Sequence, residues 1–205
     1  MADARAALLA ALKAPGAPSS DYDLNGGLPQ PAARPLREAA VLIAAFERAG
    51  RAEVWLTRRS AALRHHPGQV AFPGGKVEPV DGSPEAAALR EAGEEIGLPA
   101  GAAAILGCLP AHETVTGFRI TPVLAWIEAP FAPVPEAGEV AEVFPIPLAY
   151  LADLGAYRVR ARRWRGAERR YYVLPWGPHY VWGATARICR ALADRMPGAA
   201  REAAA

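Results

Sequence analysis

The clearest apolar run in the chain is AAVLIAAF, Ala39 to Phe46, and after the turn-prone ERAGRA comes a second, EVWLTR, Glu53 to Arg58. Two such runs around a glycine-bearing turn predict successive strands. A different period governs Pro84 to Ile96. At about 100° per residue, Leu89, Ala92 and Ile96 fall on one side and Glu91, Glu94 and Glu95 on the roughly opposite one, which predicts a helix that packs by one face and presents carboxylates on the other. Its ends are marked locally: Ser83 as N-cap, Pro84 at the first helical position, Glu85 in the first turn and Gly97 as a left-handed terminator. Further strands are expected over Ala104 to Leu109 and Ile120 to Ile127, the latter accommodating Pro122 only at an edge or a bulge. A proline-rich loop, Ala129 to Gly138, leads into EVAEVFPIPLAYL. Tyr157 to Trp164 and Arg169 to Leu174 read as a hairpin, and Trp182 to Met196 as a closing helix.

The N-terminal stretch Ala6 to Leu12 reads as a short helix and Pro15 to Pro35, rich in Pro, Gly and Ser, as an extended arm. The expected organisation is a helix and arm over residues 1–36, one domain over 37–196 and a tail over 197–205. With 205 residues and 52% hydrophobic content the chain can bury one good core. A net charge of +2 indicates no globally basic surface, so no nucleic-acid partner is expected. The strongest basic run is RVRARRWRGAERR, Arg158 to Arg170, whose Arg158, Arg160 and Arg162 share one face of a strand. A solvated hairpin face with Trp164, Tyr171 and Tyr172 turned inward is the expected arrangement; contact with phosphate or RNA is the alternative. Two cysteines, Cys108 and Cys189, form no metal spacing or disulfide framework, and a cytoplasmic setting follows as the expectation. No segment resembles a signal sequence or reaches transmembrane length, so no membrane partner is expected.

The three glutamates of REAGEEIGL, Arg90 to Leu98, change the picture. Spacings of three and four residues make Glu94 and Glu95 neighbours of Glu91, and like charges so placed repel. They also occupy the half of the helix where the macrodipole favours cations. A divalent cation relieves both penalties. Hard oxygen ligands in an incomplete cage suit Mg²⁺ or Mn²⁺, which keep water and recruit phosphate oxygens. The alternative is an ordinary solvated acidic face.

FPGGKVEPVDGSPEAAALREAGEEIGL, Phe72 to Leu98, resembles the Nudix hydrolase signature: a glycine-opened loop, then a helix with Arg-Glu, two residues, Glu-Glu, one residue and Gly. The loop departs from the usual pattern. It is one residue longer than usual, eight rather than seven residues separate Asp81 from Arg90, and the counterpart of the first signature glutamate stays open between Asp81 and Glu78. Just upstream, LTRRSAALRHHPGQVAFPGG, Leu56 to Gly75, resembles the element that distinguishes coenzyme A pyrophosphatases within the Nudix group. Leu56, Thr57, Arg59, Ser60, Arg64, Gly68, Phe72, Pro73, Gly74 and Gly75 fill every fixed position.

The resemblance implies an α+β Nudix fold, with a mixed β-sheet sandwiched between helices and a loop-helix-loop catalytic motif. It implies metal-dependent hydrolysis of coenzyme A, acyl or oxidised forms included, to 4′-phosphopantetheine and adenosine 3′,5′-bisphosphate. Glu91 and Glu95 are then the direct ligands of Mg²⁺ or Mn²⁺, with Glu94 completing the shell or bridging to a second ion. Arg90 is a brace within the motif. Arg59 and Arg64 are suited to phosphate by their guanidinium geometry. Gly74 and Gly75 let the loop backbone come close to metal and phosphate. The general base lies outside the motif, with Glu139 the first candidate and Glu113 and Glu142 behind it. Two other functions stay open: hydrolysis of ADP-ribose or another nucleoside diphosphate derivative, and a non-catalytic Nudix-fold module that binds or senses nucleotides.

Overall fold

The computed structural model describes residues 4–26, 35–129, 131–164 and 166–198. In chain order the elements are α1 (Ala4–Lys13), β1 (Ser19–Ser20), β2 (Arg37–Arg48), β3 (Arg51–Arg59), β4 (Val70–Ala71), β5 (Gly74–Lys76), α2 (Pro84–Ile96), β6 (Ala103–Cys108), β7 (His112–Glu113), β8 (Phe118–Ile127), β9 (Val140–Pro147), α3 (Leu148–Ala152), β10 (Arg158–Trp164), β11 (Ala167–Trp176), β12 (His179–Trp182) and α4 (Gly183–Ala193). The result is an α+β architecture with a large mixed sheet between helices.

The main sheet runs β1-β7-β8-β2-β3-β4, with β5 added to β2, β6 to β8 and β9 to β3. Its centre is the parallel pair β2 and β8, in register from Arg37 with Phe118 to Ala45 with Trp126. The apolar run of β2 is continuous because both of its faces are covered. Ala40, Leu42, Ala44 and Phe46 turn toward α2, while Ile43 and Ala45 turn toward a second core built with α1, α3, α4 and the small sheet β10-β11-β12. The N-terminal helix joins that second core through fully buried Leu8 and Ala11. Of the expected arm, Ser19 and Ser20 pair with His112 and Glu113, and the Asn25 side chain exchanges hydrogen bonds with the backbone of Arg170. Residues 27–34 of that arm and residues 199–205 of the tail lie outside the described residues. Among the described residues no helix is long and apolar enough to cross a membrane.

Three expectations need correction. The strand containing Pro122 is interior, flanked by β2 on one side and by β6 and β7 on the other. Proline is tolerated because the Pro122 carbonyl accepts from Leu109 N–H, so its missing donor faces the break between β6 and β7 and costs the β2 ladder nothing. The hairpin gains a third strand, β12, and Trp182 ends that strand instead of opening a helix. Finally, Tyr171 and Tyr172 do not both turn inward: consecutive strand residues alternate, and Tyr171 pairs with Arg160 and shares its face. The side chain of Trp164 lies outside the described residues.

Candidate active site

The ends of α2 follow from their capping chemistry. Ser83 is extended, and its hydroxyl accepts from Ala86 N–H at 3.1 Å. Gly97 takes the left-handed conformation at φ 67°, and the N–H groups of Gly97 and Leu98 close on the carbonyls of Gly93 and Ala92. Ala87, Ala88, Ala92 and Ile96 anchor the helix on the sheet.

The three glutamates of the helix do not share one environment, contrary to the simple two-faced pattern. Their side-chain exposures are 60% for Glu94, 16% for Glu91 and 5% for Glu95. Glu95 is buried because the Gly74 loop folds across it: Gly74 N–H donates to its Oε2 at 3.1 Å, and Arg59 at the end of β3 lies 3.7 Å from its Oε1. Burial pushes the Glu95 carboxyl up to about 7, against the pull of the Gly74 donor and Arg59, with Glu91 and Glu139 adding to the rise. Burial also raises Glu91; Arg90 opposes that rise, while Glu94 and Glu139 reinforce it.

Arg90 sits at the hub of the loop-helix junction. Its Nε and Nη2 grip Asp81 at 2.7 and 3.1 Å, its Nη1 reaches Glu91 at 3.1 Å and Glu94 at 3.2 Å, and Nη2 also donates to the Lys76 carbonyl. The Arg90 fork, followed by the Glu78 N–H, holds Asp81 below the ordinary carboxylate range. Of the two candidate loop acids, Asp81 therefore brings its carboxylate to Arg90 and Glu78 contributes only its backbone.

Gly74 and Gly75 permit two close approaches. A Cβ at Gly74, where φ is +153°, would strike the Ala40 carbonyl of β2, and one at Gly75 would strike the Glu91 carboxylate. In this structure the room they leave is filled by the adjoining strand and the helix glutamate.

The strand register separates the base candidates. Arg58 pairs with Glu142, and the Glu142 side chain binds Arg58 at 3.1 Å and lies 3.6 Å from His179, on the face of β3 away from Arg59. The β-bulge between Arg58 and Arg59 then brings Val140 opposite Arg59. That places the neighbouring Glu139 close enough for its charge to raise both Glu91 and Glu95. Glu139 is exposed, and its backbone is fixed by Glu136 and Ser60. Glu113, on β7, is not among the groups acting on those glutamates. Arg64 is exposed in the loop after β3, without a side-chain hydrogen bond or ion pair among the described residues.

This donor set fits a hard divalent cation: oxygen ligands only, with Glu91 and Glu95 both raised by burial and by neighbouring carboxylates. Among the described residues no three acidic, histidine or cysteine side chains converge tightly enough to cage an ion unaided.

The sequence matches the NUDIX domain family over residues 36–168. The chain belongs to the Nudix family. It is 48% identical over 158 residues to an uncharacterized Nudix hydrolase, NudL, of Citrobacter koseri, covering 77% of this chain and 81% of that one. It is 43% identical over 157 residues to NudL of Escherichia coli K12, with the same coverage. Among solved structures, a MutT/Nudix family protein from Enterococcus faecalis aligns with a TM-score of 0.50 at 16% identity, over 82% of this chain and 64% of that one, a likeness of fold. The Nudix hydrolase RenU of M. smegmatis aligns at 30% identity with a TM-score of 0.48, over 57% and 74%. This Nudix chain is thus a member of a hydrolase class, and its motif glutamates lie where the fold brings loop, helix and β3 together.

Proposed function

We propose that this Nudix hydrolase cleaves the pyrophosphate of coenzyme A, and of its acyl or oxidised forms, to 4′-phosphopantetheine and adenosine 3′,5′-bisphosphate. The observation that carries the reading is the contact of Arg59 with Glu95, 3.7 Å apart. It joins the element resembling coenzyme A pyrophosphatases to the metal-type glutamates of the Nudix helix.

Glu91 and Glu95 would hold Mg²⁺ or Mn²⁺, with Glu94 on the outer side, and the ion would neutralise the pyrophosphate and acidify a water. Glu139 is the base: it is exposed, and its charge acts on both ligand glutamates. It takes a proton from the water whose oxygen bonds to phosphorus, while the bridging P–O bond breaks and its electrons leave with the departing phosphate. Arg59 exchanges Glu95 for a phosphate oxygen, and Arg64, exposed on the following loop, meets the ribose 3′-phosphate. Arg90 holds Glu91 and Asp81 in place without touching substrate. The free thiols Cys108 and Cys189 accord with a reducing cytoplasm.

The test is kcat/KM for coenzyme A, 3′-dephospho-coenzyme A and ADP-ribose. Loss of one charge-assisted phosphate contact predicts about a tenfold or greater preference for coenzyme A over the dephospho form. Equal turnover of the two would remove the assigned role of Arg64, and a preference for ADP-ribose would move the substrate to another nucleoside diphosphate derivative. Absence of turnover on all three with Mg²⁺ and Mn²⁺ would favour a binding or sensing module.

A further inference from the structure

Residues 157–198 contain ten arginines and two acids, Glu168 and Asp194, hence a charge of +8 in a chain whose total is +2. The near-neutral total conceals a strongly basic module set against an acidic remainder. Such internal asymmetry points toward a polyanionic partner.

The small sheet sorts these charges by register. Arg158 and Arg160 lie opposite Val173 and Tyr171, and Val173 lies in turn opposite Trp182. One face therefore carries Arg158, Arg160, Arg162, Tyr171, Tyr180 and Trp182, while Leu174 and Val181 of the other face are buried in the core with α4. Arg158, Arg160 and Arg162 are exposed, as is Tyr180 at 48%, while Arg169, opposite Arg162 on the same face, is half-buried against Tyr22. The Arg162 guanidinium lies 4.7 Å over the Trp182 ring, and Tyr171 meets that ring edge-on at 5.5 Å. Among the described residues no carboxylate pairs with Arg158, Arg160 or Arg162; the one acid of the hairpin, Glu168, falls opposite Arg163 on the other face.

Charged side chains on an edge strand also block strand addition, which accounts for charge on β10. It does not account for the exposed Tyr180 ring on the same face two strands away.

We propose that this face binds single-stranded nucleic acid. Alternate arginines stand at steps of about 7 Å along an extended strand, an arrangement that can follow successive phosphates of an extended chain. Guanidinium groups bind phosphate bidentately, and exposed Tyr180 offers a flat surface on which a base stacks without regard to sequence. An exposed ring can stack only on a base that is not already stacked within a duplex, so the single strand is the occupant that fits Tyr180. This inference is independent of the hydrolytic reading.

Fluorescence anisotropy of a labelled oligouridylate with the full chain tests it. Binding is expected, and neutralising three phosphates predicts roughly 20-fold weakening between about 50 and about 200 mM salt. Arg160→Glu/Arg162→Glu should weaken binding tenfold or more, and Tyr180→Ala about fivefold or more through lost stacking. Both variants should keep the wild-type circular dichroism spectrum and coenzyme A hydrolysis, since none of these residues belongs to the hydrolytic site. The proposal is overturned by no anisotropy change at the lower salt, or by undiminished binding in both variants. It is equally overturned if polyglutamate competes as well as unlabelled oligouridylate, or if phosphatidylserine vesicles bind the chain while the oligonucleotide does not.

Discussion

The two most highly charged regions of the molecule handle like charges in opposite ways. On α2 the glutamates are drawn progressively out of water, from Glu94 through Glu91 to Glu95, and each must be met by a donor, an arginine or a cation. On β10 the arginines stay in water, unpaired by any carboxylate among the described residues. Solvent screens exposed charges cheaply, whereas burial turns repulsion into a shifted pKa and a latent affinity for the opposite charge. Under the proposed readings, the buried glutamates take a compact multivalent cation and the exposed basic face meets an extended anion.

The largest expected effect breaks the acidic side of this comparison. Glu95→Gln keeps the shape and the Gly74 hydrogen bond but removes the charge, and kcat with saturating Mg²⁺ should fall on the order of 10³-fold. Activity within a few fold of wild type would remove Glu95 from the metal site. Arg90→Gln comes next. It leaves Asp81, Glu91 and Glu94 without their common partner, so the thermal midpoint should fall by several degrees and by more than for any β10 arginine, as calorimetry would register.

A pH experiment sharpens the same contrast. The Glu95 carboxyl is raised in the folded chain, to about 7 from an ordinary 4.5, so the folded form binds the proton more tightly than the unfolded one. Its unfavourable contribution is absent below about pH 4.5, grows as pH rises through about 7 and is complete above that. The metal-free protein should therefore lose up to about 3 kcal/mol over that window from this group. Denaturant unfolding at pH 8 should find Glu95→Gln more stable than wild type without metal, and Mg²⁺ should stabilise wild type more than the variant. An identical pH dependence of the two proteins would mean that the burial of Glu95 is relieved by water.

What the sequence made legible was local. Ser83, Pro84 and Gly97 delimit α2 because capping is decided by residues within a turn of one another, and the two strands around ERAGRA follow from runs of apolar residues. Glu95 could not be distinguished from Glu94 by periodicity, since the Gly74 loop that buries it lies 21 residues away in the chain. Glu139 and Glu142 looked alike for a similar reason: only the pairing of β9 with β3, bulge included, sends one toward α2 and the other to Arg58 and His179. The aromatic cavity of about 500 Å³ at the far end of β2, lined by Phe46, Trp55, Trp126 and Phe131, was equally hidden because four separated segments form it. The face shared by Arg160, Tyr171 and Trp182 required β12, whose four residues HYVW are too few to announce a strand beside a helix.

The smallest expected effect tests the basic side. Arg158 donates to the carbonyls of Gly155 and Tyr157, while Arg160 is free of hydrogen bonds and ion pairs among the described residues. Replacing Arg160 with Gln removes a charge that water already screens, so the unfolding free energy should change by less than about 0.5 kcal/mol. Repulsion from Arg158 and Arg162 would make any change a gain, larger at low salt than at high salt. Urea unfolding at two salt concentrations separates the cases. A loss of stability beyond that range would mean that Arg160 is a structural member of the sheet, and the unpaired charge of this face would then have an explanation in folding instead of in a partner.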